Sequence, residues 1–206
     1  MEIALIRKHI FWISLAVVVV ITGMLGDYGR ELLRYQPDMF VSGEYWRIIT
    51  AHFVHLSWMH TFFNLAGTAI FSVLFARHLS VLQWWWVLAF CVPASSLAFY
   101  FLNPNLDWYV GFSGVLHSIL IVGGIMELRK KEGNDRRLAL LVLGVITAKL
   151  IQEQFWGGME STTESIIAGK VFVDAHLYGA IFGVICGVFY IISSIFDKRQ
   201  DESEAL

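Results

Sequence analysis

Six apolar stretches, separated by short polar segments, run along almost the whole chain. They are Ile10–Leu25, Val54–Phe75, Val81–Leu102, Val110–Leu128, Leu138–Phe155 and Val171–Phe196. A membrane-spanning helix needs about 20 predominantly apolar residues, and these lengths match that requirement or fall slightly short of it. Buried helices of a soluble protein are apolar too, but six of them with so little polar sequence in between do not fit a soluble fold. The pattern therefore predicts an all-α membrane protein, a bundle of six transmembrane helices.

The composition strengthens this prediction. The chain is 57% hydrophobic and only 16% charged, with a mean hydropathy of +0.62, whereas soluble domains carry about 25% charged residues. The net charge of −2 gives no reason to expect a nucleic-acid partner. Cys91 and Cys186 both lie inside apolar stretches, so we interpret them as packing residues and not as a disulfide.

The two ends of the chain differ in character. The first apolar stretch follows the basic segment IRKH, as a signal peptide does, but no small-x-small cleavage site comes after it. We interpret it as a retained first helix of a single membrane domain, residues 1–196. Residues 197–206, DKRQDESEAL after Phe196, form a short charged tail that we expect to be disordered.

Basic residues are unequally divided between the two sides of the predicted bundle. Ten lie on the side of the termini: Arg7, Lys8, Arg77, Arg129, Lys130, Lys131, Arg136, Arg137, Lys198 and Arg199. Four lie on the other side, namely Arg30, Arg34, Arg47 and Lys170, and Lys149 lies within a helix. The positive-inside rule then predicts that both termini and the tail are cytoplasmic. The loops at 26–53 and 156–173 would face outward.

Three clusters of polar residues interrupt the apolar pattern. They are HFVHLSWMHTFFN with His52, His55, His60 and Asn64, GFSGVLH with Gly111, Ser113, Gly114 and His117, and DAHLYGAIFG with His176, Gly179 and Gly183. Polar groups are costly inside a bilayer and mark functional sites by default. In the predicted orientation the second, fourth and sixth helices begin outside, so the three clusters lie at a similar depth near the outer surface.

Ser113 is a candidate nucleophile. A serine needs a base, usually histidine, and donors directed at the oxyanion that develops. His60 and Asn64 are four residues apart, so they share one helix face and can supply two such donors. His176 is the candidate base. In the predicted orientation Ser113 and His176 both lie at the outer ends of their helices, at a similar depth.

Glycines on two helices favour that pairing. Gly179 and Gly183 repeat at a spacing that lets two membrane helices touch backbone to backbone, which would bring the histidine within reach of the serine. Gly111 and Gly114 leave space beside Ser113 for a substrate carbonyl and a neighbouring helix. The 16 residues from Gly111 to Met126 make a helix of about 24 Å, shorter than the hydrocarbon core. We therefore expect Ser113 at the floor of a water-filled cavity that opens outward.

The motifs follow one another in a set order: WR at 46–47, His55, His60 and Asn64 as H-x4-H-x3-N, G-x-S-G at 111–114, and A-H-x-x-G-x-x-x-G at 175–183. This series resembles the rhomboid intramembrane serine proteases. The resemblance implies a rhomboid-like bundle with a Ser113–His176 dyad that has no third carboxylate. It also implies an oxyanion site made by His60, Asn64 and backbone N–H groups near Ser113, with His55 in a supporting role.

One position departs from the general rhomboid pattern. The family commonly has a tyrosine four residues after the serine, stacked on the catalytic histidine, and this chain has His117 there. We expect His117 to stack on His176 or to form a hydrogen bond with it. The segments GFSGVLHS, KLIQEQ at 149–154 and VDAHLYGA at 173–180 resemble the rhombosortase branch. That resemblance implies exported substrates whose tails carry a Gly-Gly motif, an apolar helix and a basic end.

Two residues near the candidate dyad have alternative roles. His117 shares a helix face with Ser113 and could be the base on spacing alone, although the motif match favours His176. Asp174 precedes His176 by two residues, and residues two apart on a helix do not face each other. A helix cap is therefore the favoured role of Asp174.

A metal site is an alternative for three of the histidines. His52, His55 and His60 are ligand types, but no H-E-x-x-H motif and no nearby carboxylate accompany them. We expect neither a metal nor another cofactor.

The remaining polar residues are interpreted structurally. Trp46 and Arg47 are expected to anchor the outer loop at the headgroup level and not to touch substrate. Lys149 and Glu153 are an i, i+4 pair on the fifth helix, with Gln154 beside them. We interpret them as a structural pair, with a substrate gate as the alternative.

The sequence leaves two classes of function open. The favoured one is an intramembrane serine endopeptidase of the bacterial inner membrane, open to the periplasmic side, that cleaves single-pass exported proteins near Gly-Gly at the outer end of their C-terminal anchor. A general rhomboid protease with other substrates is the alternative within that class. The second class is a non-catalytic rhomboid-like protein that binds membrane clients, but the complete set of Ser113, His176, His60 and Asn64 argues against it. A transporter would need polar residues through to the cytoplasmic side, and the sequence has none there.

Overall fold

Each predicted apolar stretch contains a helix. The computed structural model describes residues 2–129, 134–157, 165–167 and 169–204. In chain order the helices are α1 (Glu2–Met24), α2 (Gly26–Leu33), α3 (Pro37–Val41), α4 (Arg47–Thr50), α5 (Trp58–Phe75), α6 (Val81–Leu102), α7 (Ser113–Leu128), α8 (Asn134–Trp156) and α9 (Asp174–Glu204). The described residues contain no strand, only an isolated antiparallel bridge between Tyr35 and Tyr109. Lys130, Lys131 and residues 158–164 and 168 of the predicted outer loop lie outside the described residues.

Four helices are long and apolar enough to cross a membrane. They are α5, α6, the segment Asp135–Trp156 of α8 and the segment Asp174–Phe196 of α9. The segment Lys8–Met24 of α1 and helix α2 pass the same test together, as a broken span bent by 110°. Helix α7 is apolar but has only 16 residues. The described residues thus contain four spans, or five with the bent pair, and the six-span topology with cytoplasmic termini stays a prediction.

Helix α7 lies in the middle of the bundle. It packs against α5, α6, α8 and α9, and nearly all of its residues are buried. An α-helix that is apolar on every face is one that other protein surrounds. Because Ser113 is the first residue of this helix, the surrounding helices determine where the serine lies.

Helices α7 and α9 are in backbone contact. A Cβ atom on Gly179 would collide with the carbonyl oxygen of Gly114, and a Cβ atom on Gly183 would lie 2.8 Å from the carbonyl oxygen of Ser118. Small residues allow membrane helices to approach in this way. This is the contact that the glycine spacing predicts, and it joins the helix that carries the serine to the helix that carries the histidine.

The outer segment between α1 and α5 was predicted as a loop, and it contains three short helices, α2 to α4. The buried side chain of Arg47 holds them together. Its Nη1 donates to the carbonyl oxygens of Glu31 and Arg34, both at 2.9 Å, and its Nε donates to a carboxylate oxygen of Glu44 at 2.6 Å. Arg47 thus holds the segment from within, and its place at the headgroup level stays a prediction. Trp46 is 46% exposed.

Helix α9 continues beyond the apolar stretch to Glu204. The prediction of a disordered tail is therefore wrong for residues 197–204. Extending a helix that has already formed costs little, and the charged residues of this segment are good helix formers. Cys91 and Cys186 are buried free thiols with their Sγ atoms 3.8 Å apart, as packing residues would be.

Candidate active site

Ser113 and His176 meet in the first turns of α7 and α9. The distance between Ser113 Oγ and His176 Nε2 is 2.9 Å, and only 8% of the histidine side chain is exposed. The chain turns into α7 at Gly111, whose φ of +133° is a conformation that other residues rarely adopt. The backbone contact between α7 and α9 and this turn together place a hydroxyl against an imidazole nitrogen.

His60 and Asn64 lie beside this pair on α5. A Cβ atom on Gly111 would be 3.0 Å from Cε1 of His60, so the imidazole packs directly against that glycine. The Leu56 N–H donates to His60 Nδ1 at 3.4 Å, which places the proton of the neutral ring on Nε2. Asn64 Nδ2 donates to the His60 carbonyl oxygen at 3.0 Å and keeps its second N–H for another acceptor.

His55 packs against His60 from the segment that precedes α5. Its ring meets the ring of His60 edge to face, with centroids 4.9 Å apart. Burial, followed by the charge of His60, lowers the pKa of His55 to about 3, so its ring stays neutral at physiological pH. A neutral ring packed against His60 is consistent with a supporting role.

A cavity of about 470 Å³ opens beside the serine. Its lining includes His60, Phe63, Asn64 and Phe71 from α5, Ser113, Leu116, His117 and Leu120 from α7, Ile146, Lys149, Gln152 and Glu153 from α8, and His176 from α9. The glycines next to Ser113 face other groups: Gly111 faces His60, and Gly114 faces the carbonyl oxygen of Ala175. They therefore bring protein groups close to the serine, and the open space lies between α5 and α8.

His117 stacks on His176, as predicted. The two ring centroids are 4.3 Å apart and the ring planes differ by 18°. His117 Nδ1 donates to the main-chain carbonyl oxygen of Ser113 at 2.7 Å. Because that nitrogen is occupied by the carbonyl oxygen and not by Oγ, the geometry gives no support to His117 as the base.

Glu153 is the carboxylate partner of His176. Both of its oxygens lie 3.0 Å from His176 Nδ1, and Lys149 Nζ donates to Oε1 at 2.6 Å. The resemblance implied a dyad with no carboxylate, and the structural-pair interpretation of Lys149 and Glu153 omitted the histidine. The sequence did contain a signal for the contact between Glu153 and His176. Lys149 and Glu153 are an ionisable pair within an apolar helix, at the predicted depth of the other polar clusters. Gln154 is exposed and lies outside the cavity lining.

Asp174 and His52 make contacts away from the serine. Asp174 is the first residue of α9 and accepts a hydrogen bond from Asn103 Nδ2 at 2.6 Å, and its role as a helix cap stays a prediction. His52 Nε2 is 2.9 Å from Ser96 Oγ, in a fully buried position. Within the described ranges, no group of three or more His, Cys, Asp or Glu residues could hold a metal ion.

A bundle of apolar helices with a serine, a histidine and side-chain donors around one cavity defines a class, the membrane-embedded serine hydrolases. Residues 42–193 match the family described as the rhomboid domain, so the chain belongs to the rhomboid family of intramembrane proteases. It is also similar to the rhomboid protease GlpG of Haemophilus influenzae. The two are 29% identical over 177 residues, which cover 84% of this chain and 85% of GlpG.

Proposed function

We propose that this chain is an intramembrane serine endopeptidase in which Ser113 is the nucleophile and His176 the base. The observation that carries the proposal is the 2.9 Å distance between Ser113 Oγ and His176 Nε2 at the edge of a cavity walled by membrane helices. A non-catalytic client-binding protein would have no need of this contact.

The reaction follows from the positions of the polar groups. His176 Nε2 takes the proton of Ser113 as Oγ attacks the substrate carbonyl carbon, and the oxygen becomes an oxyanion. The Nε2–H of His60, the free N–H of Asn64 and the N–H of Ser113 in the first turn of α7 are donors for that charge. The imidazolium then gives its proton to the leaving amine, and a water molecule hydrolyses the acyl-enzyme by the same steps.

The finer proposal concerns the substrate, a single-pass membrane-anchored protein cut near Gly-Gly at the outer end of its C-terminal helix. A helical peptide bond must unwind before a serine can reach it, and glycine lowers that cost by about 1 kcal/mol per residue relative to alanine. The rhombosortase-like segments favour the same substrate class. In this proposal the protein lies in a bacterial inner membrane with the cavity open to the periplasm, and the substrate arrives through the lipid bilayer.

A general rhomboid protease with other substrates is the second candidate. The similarity to GlpG supports it equally well, since it carries no information on Gly-Gly tails. The two candidates differ only in what the cavity accepts next to the scissile bond.

The deciding experiment uses the purified protein in liposomes with a single-pass substrate that carries Gly-Gly, and a matched substrate with both glycines replaced by leucine. Wild type should cleave only the first, because larger side chains both strengthen the helix and fill the space between α5 and α8. Ser113→Ala, His176→Ala and the double variant should be inactive to a similar degree, because the two residues act as a unit. Turnover by Ser113→Ala would remove the nucleophile assignment, and equal cleavage of both substrates would favour the general protease.

A further inference from the structure

Five hydrogen bonds form a closed ring that begins and ends at Ser113. His117 Nδ1 is 2.7 Å from the Ser113 carbonyl oxygen, and His117 Nε2 is 3.3 Å from Lys149 Nζ. Lys149 Nζ is 2.6 Å from Glu153 Oε1. Glu153 is 3.0 Å from His176 Nδ1, and His176 Nε2 is 2.9 Å from Ser113 Oγ. The ring therefore joins α7, α8 and α9 through four side chains.

The chemistry of the ring members fixes where each proton lies. A carbonyl oxygen can only accept, so His117 carries its proton on Nδ1 and its Nε2 accepts from the ammonium of Lys149. An ionised carboxylate can only accept as well, so His176 carries its proton on Nδ1. His176 Nε2 is then unprotonated and carries a lone pair. It accepts the hydrogen bond that the Ser113 hydroxyl donates at 2.9 Å.

Lys149 and His176 are close without bonding to each other. Lys149 Nζ is 3.2 Å from His176 Nδ1, but both atoms are donors in this arrangement. The carboxylate of Glu153 lies between them and accepts from both. Glu153 thus allows the Lys149 ammonium and the protonated Nδ1 of His176 to lie next to each other, because its carboxylate accepts a hydrogen bond from each.

Resting on the proposed function, we propose that Glu153 is a positioning residue that holds His176 in the base-ready tautomer, with Lys149 as its counter-ion and its link to His117. The proton transfer is balanced within the chain. The hydroxyl proton of Ser113 moves to His176 Nε2 while the Nδ1 proton stays in the hydrogen bond to Glu153, so the imidazolium is formed beside a negative charge.

Burial explains why the carboxylate needs a partner at rest. The Glu153 side chain is 7% exposed, whereas that of Lys149 is 39% exposed and reaches the cavity. A lone charge in such a place is strongly destabilising, and a paired one much less so. The competing explanation is therefore that Glu153 only neutralises Lys149 and does nothing for His176.

Removing the two charges together separates these explanations. If Glu153 only neutralises Lys149, then Glu153→Gln is harmful because it leaves an unpaired cation beside His176, and adding Lys149→Met repairs the damage. If Glu153 positions His176, the double variant Lys149→Met/Glu153→Gln stays as slow as Glu153→Gln. The double variant contains no unpaired charge at this site, so it is the variant expected to fold.

The experiment measures kcat and KM for the Gly-Gly substrate in liposomes, and the rate at which a fluorophosphonate labels Ser113. Glu153→Gln and the double variant should each lose roughly 10²–10⁴ in kcat, as loss of the carboxylate does in serine proteases, with KM within about threefold. Lys149→Met removes the counter-ion of a buried carboxylate and should lower the unfolding temperature, but kcat of the folded protein should fall less than about tenfold, because the contact between Glu153 and His176 remains. Glu153→Asp, which keeps the charge, should recover part of the loss. Thr147→Val, on the exposed side of α8, is the matched control.

Three outcomes would overturn the positioning role, and a fourth would remove the proposed function as well. Wild-type kcat in the double variant, or a rise in KM with kcat unchanged in Glu153→Gln, would overturn the positioning role. Equal labelling of wild type and Glu153→Gln would overturn it as well. A wild-type protein that neither cleaves nor is labelled would remove the proposed function, and this inference with it.

Discussion

Helix α7 is packed in two different ways on its two sides. On the closed side, toward α9, backbone touches backbone, and a Cβ atom on Gly114 would lie 2.7 Å from the carbonyl oxygen of Ala175. On the cavity side, toward α5 and α8, long side chains surround about 470 Å³ of open space. A Cβ atom on Gly144, at an exposed position of α8 outside the cavity lining, would meet nothing within 4 Å.

In the proposed function, the two sides of α7 meet two different requirements of a serine protease. The closed side fixes the distance between Ser113 and His176, which must hold to within a fraction of an ångström. The cavity side provides donors, a carboxylate and room for a peptide. Substitutions on the closed side should therefore cost stability, whereas substitutions on the cavity side should cost turnover.

The largest effect is expected for Gly179→Val on the closed side. The new Cβ atom would collide with the carbonyl oxygen of Gly114, and backbone atoms cannot move aside as a flexible side chain can. We expect a loss of about 3 kcal/mol or more of stability and no detectable cleavage, because α9 must move away with His176. Thermal unfolding in detergent and the cleavage assay measure the two effects.

Gly144→Ala is the matched control at an exposed position of α8, outside the backbone contact. It adds the same first carbon where space is open, and alanine favours a helix by up to about 1 kcal/mol over glycine. Its unfolding temperature should stay level or rise, with turnover unchanged. Similar behaviour of Gly179→Val and Gly144→Ala would break the comparison between the two sides.

The next effect is expected for Asn64→Ala on the cavity side. Loss of one oxyanion donor typically lowers turnover by about 10²–10³. We expect that fall in kcat with little change in KM or in unfolding temperature, because Asn64 lines the cavity. Steady-state kinetics on the Gly-Gly substrate measures the difference.

Thr68→Val, one turn further along α5, serves as the control for this change. Thr68 is buried and donates to the Asn64 carbonyl oxygen at 2.8 Å, but it is not part of the cavity lining. Its turnover should stay close to that of wild type. An Asn64→Ala variant that kept its kcat and lost substrate affinity would make Asn64 a binding group.

The smallest effect concerns pH and the buried His52, which contacts α6. Burial lowers the pKa of His52 to about 3, from an ordinary value near 6.5. Between pH 6.5 and pH 3, His52 binds a proton in the unfolded chain but not in the folded protein. The contribution of neutral His52 to the free energy of unfolding is therefore fully present above about pH 6.5 and is lost as the pH falls toward 3. The slope is about 1.4 kcal/mol per pH unit for one histidine.

Thermal unfolding at pH 7.5 and pH 5.5 measures this slope. His52→Gln should reduce it, and His55, whose pKa is also about 3, should retain a similar contribution. An unchanged slope in His52→Gln would show that the proton is taken up elsewhere.

The sequence was sufficient to predict those parts of the molecule that depend on local pattern. Apolar length predicted the helices that cross or line the bundle, and the repeat of Gly179 and Gly183 predicted the contact that brings Ser113 to His176. The link from Glu153 to His176 was not predicted, because it depends on how α8 is rotated about its own axis. No glycine motif or short loop specifies that rotation. The helices of the outer segment were missed for a related reason, since Arg47 holds them through contacts distant in sequence.

The backbone contact between α7 and α9 also has a consequence for how such a chain can change over evolutionary time. Positions such as Gly114, Gly179 and Gly183 accept no larger residue without moving the serine from the histidine, so we expect selection to act against mutation there. The lining contributed by α5 and α8 carries no such restriction away from the polar groups. New substrate preferences can therefore arise by drift on those two helices while the reacting pair is inherited unchanged.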